Sequence, residues 1–289
     1  MNSIYEKTKN CVVKIVVKLS AADKEGSGTG FVYADPKNSD VYIISNEHVL
    51  GYCDGRTEFE SFGIYTQAGN YQEFRPGEYD VISKSNEDIW DWIIIKIKKC
   101  NLDLKGVIID KSLSYKVGDT VFFGGYPLDH TNYTFHFGNI SSIFTSNSVK
   151  KIQIDGSINS GNSGGPLFDC EGRVIGIISR KDNGFIKNIG EFELLLKDEQ
   201  SLLMELSKQL QRNGDVLKNS GGGVFISGID TNAVLSYSIT SLAQANHNLA
   251  VSFERMIQIW YNIKRSANVG IGYAFSIENL IQKNPEIFN

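Results

Sequence analysis

Apolar and polar positions alternate along most of the first 180 residues, in short runs broken by glycine and asparagine. Cys11–Val17, Gly26–Tyr33 and Val41–Asn46 are β-rich, and Ile89–Ile97 is a long β-branched run. Val117–Pro127 reads as turn, strand and turn, and Thr134–Phe144 and Lys150–Ile154 as further strands. Leu167-Phe168 and Val174–Ile178 flank Glu171-Gly172, which predicts a hairpin with that pair at its tip. Many short strands at this spacing predict an all-β barrel or sandwich.

The period changes near Asp182. From Glu191 to about Arg212, Leu195, Leu202, Leu203, Leu206 and Leu210 are expected on one helical face, with Asn213-Gly214 as the stop. Gly221-Gly222-Gly223 reads as a joint, without the Lys-Ser/Thr of a phosphate-binding loop. A second helical pattern runs from about Asp230 to Lys264 through Leu242, Ala245, Leu249, Phe253, Met256, Ile257 and Trp260. Gly270–Phe275 returns to strand, and a short helix follows from about Ile277.

Composition narrows the class only a little. The 289 residues are 41% hydrophobic and 21% charged, ordinary for a globular protein, and the net charge of −4 argues against general nucleic-acid or anionic-membrane binding. No apolar run reaches the length of a membrane span, and the N-terminus lacks a basic region followed by an apolar core. Cys11, Cys53, Cys100 and Cys170 are far apart, which predicts neither a disulfide framework nor a metal site. An intracellular, cytoplasmic protein without cofactor is the resulting expectation.

The candidate chemistry lies in Asp155–Phe168, where Ser163 stands among glycines. Such a loop suits a nucleophile on a tight turn, with the Gly161 and Ser163 amides as oxyanion donors. The letters Gly-Asn-Ser-Gly-Gly also fit the nucleophile elbow of an α/β-hydrolase, but that needs a helix after the serine and a later histidine. Pro166 and a hairpin follow instead, and the one later histidine, His247, lies in a helical pattern. A serine nucleophile needs a base and an acid to orient it. His48, at a strand-to-turn position, is the base candidate; Asp91, at the mouth of a buried run, is the acid, with Asp88 its rival.

In order, His48, Asp91 and Ser163 resemble the chymotrypsin-like serine peptidases, most closely the HtrA/Deg-type branch. Gly26-Ser-Gly-Thr-Gly-Phe-Val, Ile44-Ser-Asn-Glu-His-Val and Asp91-Trp-Ile-Ile-Ile-Lys-Ile are similar to boxes of that branch. So are Gly124-Gly-Tyr-Pro, Phe137-Gly-Asn-Ile-Ser, Asn159–Leu167 and Gly270–Phe275. The resemblance implies a mostly β fold of two six-stranded antiparallel β-barrels with an inserted α-helical hairpin. The peptidase domain would comprise residues 1–182 and 266–289, with the N-terminal barrel over about 1–105. It also implies Ser163 as nucleophile, His48 as base and Asp91 as its partner. Asn162 stands where digestive relatives carry an aspartate that pairs with a freshly cut N-terminus, so activation by such cleavage is not expected. Ser157 and Ser179 would line the substrate pocket. Arg180 and Lys181 follow its bordering strand, where acidic side chains or solvent are open alternatives.

Two departures from the pattern stand out. No PDZ-like domain is expected after Gly272, and residues 183–265 form an insertion in a loop that in the family lies beside the substrate pocket. That insertion is read as a substrate-recruiting or partner-docking element, or one for self-association. The reading is a serine endopeptidase with a narrow substrate set, gated by a partner or oligomerisation. Its alternatives are a catalytically silent scaffold on a peptidase fold, and an ester hydrolase using the same site.

Overall fold

A computed structural model describes the chain except for residues 1, 20–23, 38–39, 51–58, 86–89, 180–183, 221–224, 227, 267–269 and 289. Asp88, Arg180, Lys181, Cys53 and the triglycine joint fall outside the described residues. The chain separates into two compact units, residues 1–182 with 267–289, and residues 183–266.

The first unit opens with helix α1 (Asn2–Thr8) and strands β1 (Val12–Leu19), β2 (Lys24–Ala34) and β3 (Val41–Ser45). β4 (Phe59–Tyr65), β5 (Tyr71–Phe74), β6 (Tyr79–Lys84) and β7 (Ile93–Ile97) complete a seven-stranded antiparallel sheet in the order β5-β4-β1-β2-β3-β7-β6. The second sheet comprises β8 (Ile108–Ile109), β9 (Thr120–Gly125), β10 (Thr134–Ser146), β11 (Val149–Asp155), β12 (Pro166–Phe168), β13 (Arg173–Ser179) and a late strand, Ile271–Ser276.

Alternation explains why the β-branched run of β7 is apolar at every buried position. Successive strand side chains point to opposite faces. Ile93, Ile95 and Ile97 enter the core of the first sheet, while Ile94 and Trp92 enter a second core shared with Phe122, Phe168 and Ile177 of the other sheet. One face of this strand is therefore dry along its length, the other dry at Trp92 and Ile94 and open at the half-buried Lys96, which pairs with Asp40. Each fully buried isoleucine contributes roughly 1.5–3 kcal/mol.

Two six-stranded barrels were expected, and one is found. The second sheet closes through the pairing of β12 with β13, six antiparallel strands forming the ring and β8 joining β13 in parallel outside it. The first sheet has seven strands in an open order, with no ladder between β5 and β6 among the described residues. The chain passes from one edge to the other in the turn Arg75–Glu78, so the edges are joined by connectivity rather than by hydrogen bonds. β4, β5, β6 and α1 were not anticipated. β6 shows only the half-buried alternation of an edge strand, a weaker signal than an apolar run.

In the second unit, helix α2 (Gly184–Asn219) leads to a two-residue strand pair, β14 (Phe225–Ile226) and β15 (Ile229–Asp230), and then to α3 (Thr231–Ser266). Back in the first unit, β16 is the late strand Ile271–Ser276, and α4 (Ile277–Lys283) and α5 (Pro285–Phe288) follow. Ser276 caps α4 by accepting from the Glu278 N–H, and Ile277, Leu280, Ile287 and Phe288 help fill the shared core.

Helix α2 does not stop at Gly214. Ser236 Oγ donates to Gly214 O at 2.8 Å, and a Cβ on Gly214 would lie 2.9 Å from Thr240 Oγ1. This glycine permits close approach of α3 rather than ending α2. The expected single leucine face also divides. Leu203 and Leu210 are partly covered, whereas Leu195, Leu202 and Leu206 are exposed.

Candidate active site

β3 delivers its last buried residue, Ser45, to an extended Asn46, and a single helical turn Glu47–Val49 then carries His48. The 48 side chain is 30% exposed, so the imidazole is open to a substrate. Asp91 lies in the extended segment before β7 and is fully buried. Its Oδ2 is 2.5 Å from His48 Nδ1, and its Oδ1 accepts the His48 backbone N–H at 3.1 Å. A carboxylate only accepts, so Nδ1 carries the proton and Nε2 presents its lone pair outward. The peptide around Asp91 is clamped on both sides. Asn46 Nδ2 donates to Asp91 O, Ser85 Oγ donates to Trp90 O, and Trp92 N–H donates to Ser85 Oγ.

Ser163 sits on the loop between β11 and β12 and is almost fully buried. Thr29, from β2, ties that loop to the first sheet. Its N–H donates to Ser163 O at 2.9 Å, its Oγ1 donates to Gly161 O at 2.6 Å and accepts Tyr126 N–H at 3.0 Å, and its carbonyl accepts Ser45 Oγ. On the far side Gly164 N–H donates to Ile178 O, and Ile178 N–H to Gly165 O. Gly164 has φ +83°, and a Cβ there would lie 2.1 Å from Thr29 O and 2.2 Å from Ser45 Oγ. Only glycine lets this turn approach Thr29 of β2 and Ser45 of β3, the strand that leads to His48.

Within the loop, Leu128 N–H donates to Ser160 O at 2.7 Å. In a planar trans peptide the next N–H, that of Gly161, then points the opposite way. Among the described residues, the Gly161 and Ser163 amides donate to no acceptor, and no hydrogen bond joins Ser163 Oγ to His48. Two unspent backbone donors on the serine's own loop can stabilise an oxyanion.

Asn162 is fully buried beside Gly125, and neither polar atom of its side chain has a partner among the described residues. A neutral amide tolerates that setting better than an aspartate, which would bury an unpaired charge. Of the expected pocket residues, Ser157 is exposed just beyond β11, where Gly156 N–H donates to Gly270 O. Ser179 is buried at the end of β13 opposite Tyr273. Both border β16; Arg180 and Lys181 lie outside the described residues.

Sequence reasoning missed Thr29, Ser45, Asn46 and Ser85 as supports. Thr29, Ser45 and Asn46 lie inside runs that it recognised, and Ser85 follows β6, a strand that it did not anticipate. Nothing local told that Thr29 would reach Gly161, 132 positions away.

A two-sheet β fold with a His–Asp pair and a glycine-bound serine between the sheets defines a trypsin-like peptidase domain. The sequence profile of that domain, described as trypsin-like peptidase domain, matches residues 28–177, and the chain belongs to this family. Its relatives mark it as HtrA-type. It is 28% identical over 221 residues to a "Probable periplasmic serine endoprotease DegP-like" of Hahella chejuensis, covering 75% of this chain and 42% of that protein. It is 27% identical over 217 residues to "Protease Do-like 5, chloroplastic" of Arabidopsis thaliana, covering 65% of this chain and 63% of that protein. The chain thus spans less than two thirds of either relative. Among solved structures, the serine endoprotease from Yersinia pestis is similar with TM-score 0.48 and 26% identity, over 62% of this chain and 56% of that one. The compartments in these names are periplasm and chloroplast, so they give the expected cytoplasmic location no support. Among the described residues no helix is long and apolar enough to cross a membrane.

Proposed function

We propose that the chain is a serine endopeptidase acting on protein substrates through an acyl-enzyme. Ser163 Oγ attacks the scissile carbonyl while His48 Nε2 takes its proton and later returns it to the leaving amine. Asp91 holds the tautomer and stabilises the imidazolium, and the Gly161 and Ser163 amides receive the oxyanion. The observation that carries the reading is the buried Asp91 carboxylate 2.5 Å from Nδ1 of a half-buried His48. Family membership supports the reaction class, and the names of the relatives support protein substrates. Ser157 and Ser179 are proposed for the substrate pocket. Residues 183–265 are proposed as an insertion that recruits substrate or partner and narrows the substrate set.

A second reading, a catalytically silent scaffold, is favoured by one observation, the missing Ser163–His48 hydrogen bond. Michaelis complexes often tighten a contact that is loose in the free enzyme, so the same observation also fits gating by a partner or oligomerisation. Labelling with a fluorophosphonate probe separates the readings. Wild type should label and Ser163→Ala should not; folded wild type that stays unlabelled even with peptide substrate or lysate present favours the scaffold.

A further inference from the structure

The helical unit carries two heptad seams on each helix, and only one is used. On α3, apart from Thr231 and Asn232 in the first turn and Val251 beside the seam, the covered residues are Ser236, Ile239, Ala243, Asn246, Ala250, Phe253, Ile257 and Trp260, at alternating steps of three and four. On α2 the covered set Leu196, Gln200, Leu203, Ser207, Leu210, Gly214 and Leu217 follows the same rhythm, with Met204 partly covered beside it. A sustained seven-residue repeat is the signature of helices packed side by side. These two seams face each other, with Ser207 Oγ donating to Ala243 O and Ser236 Oγ to Gly214 O.

One residue before each seam position runs a second stripe. On α3 it presents Leu235, Leu242, Leu249, Met256 and Ile259, between 41% and 58% exposed. No charged residue occupies this stripe between Leu235 and Ile259, and its large side chains alternate with Ser238, Ala245 and Ser252. On α2 it presents Leu195, Leu202, Leu206 and Val216, between 45% and 68% exposed. One residue is a rotation of about 100° about the helix axis, in the same sense on both helices. Because the helices are antiparallel, that common rotation brings both stripes to one side of the hairpin. The register of the two serine hydrogen bonds sets Leu202 about level with Leu249 and Leu195 about level with Met256.

We propose that this face docks a second copy of the chain, the two hairpins closing into an antiparallel four-helix bundle. The occupant follows from the shape of the face. Each exposed stripe lies about 100° round from the packed seam, close to the right angle of a square four-helix cross-section, and a copy supplies two helices with the same spacing. The row of large residues on α3 alternates with serine and alanine hollows, so one copy's ridge fits the other's hollows. The α3 stripe spans ~25 residues, or ~37 Å, and two helices are ~20 Å wide, giving ~700 Å² per copy against the ~800 Å² of a standard interface. Glu199, Gln209 and Asn213 interrupt the α2 half of this face, but the α3 half carries no charge between Leu235 and Ile259, and a largely apolar face of this extent exceeds what monomers usually expose. The inference stands independently of the peptidase reading.

Light scattering or sedimentation equilibrium on the full chain at micromolar concentration tests it. Wild type should have twice the 32.1 kDa mass of the chain, and the double variant Leu202→Glu/Leu249→Glu should have the single mass. Both positions are exposed, so the hairpin itself should fold, which an unchanged helical circular dichroism spectrum would verify. Tyr237→Glu, 75% exposed but off the stripe, should leave the doubled mass intact. A monomeric wild type would overturn the proposal and leave the face to another partner. An oligomer untouched by the double variant, or one equally broken by Tyr237→Glu, would overturn it too.

Discussion

Replacing Asp91 by asparagine tests the proposed site most sharply, because the two contacts of its carboxylate make different demands. Oδ1 accepts the His48 backbone N–H and Oδ2 faces Nδ1. An amide has a single acceptor oxygen. The backbone N–H cannot change its chemistry, so the amide oxygen must turn to it, and the NH₂ then faces Nδ1. The ring meets that donor by moving its proton to Nε2, where it can no longer accept the Ser163 proton. Restoring the working tautomer sets donor against donor in a fully buried place, at about 1–3 kcal/mol, and the charge-assisted bond to the developing imidazolium, about 1.5–3 kcal/mol, is lost as well. Together these remove roughly 3–5 kcal/mol of transition-state stabilisation, or about two to four orders of magnitude in kcat. The assay is steady-state cleavage of a peptide with an unchanged fold by circular dichroism, alongside the rate of fluorophosphonate labelling. Both rates should fall together while KM changes little. An Asp91→Asn enzyme within tenfold of wild type would refute the tautomer argument.

Three further outcomes follow from the same geometry. Gly164→Ala and Gly69→Ala share a positive φ, +83° and +82°, but a Cβ at 69 meets nothing within 4 Å; Gly69→Ala should lose only the ~1–2 kcal/mol of left-handed backbone, whereas Gly164→Ala should abolish probe labelling and lower Tm far more. Thr29→Val leaves Gly161 O and Tyr126 N–H without partners, at roughly 1–3 kcal/mol each, so Tm should fall by several degrees with slower labelling, and Thr29→Ser should restore both. Burial lowers the pKa of His136, which stacks on Phe123 with ring centroids 5.0 Å apart. The unfolded chain therefore binds this proton first, so its contribution to stability is complete above the ordinary histidine value and is lost as pH falls below it toward the folded value. Urea unfolding across that window should show stability dropping on acidification, with a smaller slope in His136→Phe; an unchanged slope would remove His136 as the cause.

Much of this protein is legible one stretch at a time. Strands such as β7 announce themselves by β-branched residues, because both faces of its buried part meet a core and the one polar residue, Lys96, sits where a face reaches the surface. The Ser163 loop shows its glycines, since only glycine tolerates the φ values and the close backbone approach that it needs. His48 and Asp91 stood out as polar residues at the edges of apolar runs. What the sequence could not yield depends on partners distant along the chain. The chemistry of Thr29 is that of any strand threonine until folding brings Gly161 and Tyr126 to it. Ring closure in one sheet and not the other turns on whether edge strands meet in register, which no single strand encodes. In the helices, the heptad spacing of the leucines was plain, but two stripes one residue apart are indistinguishable as sequence. Only the packing of α2 on α3 decided that Leu203 and Leu210 are covered while Leu202 and Leu206 remain at the surface, because a rotation of about 100° separates them and the partner helix covers one side.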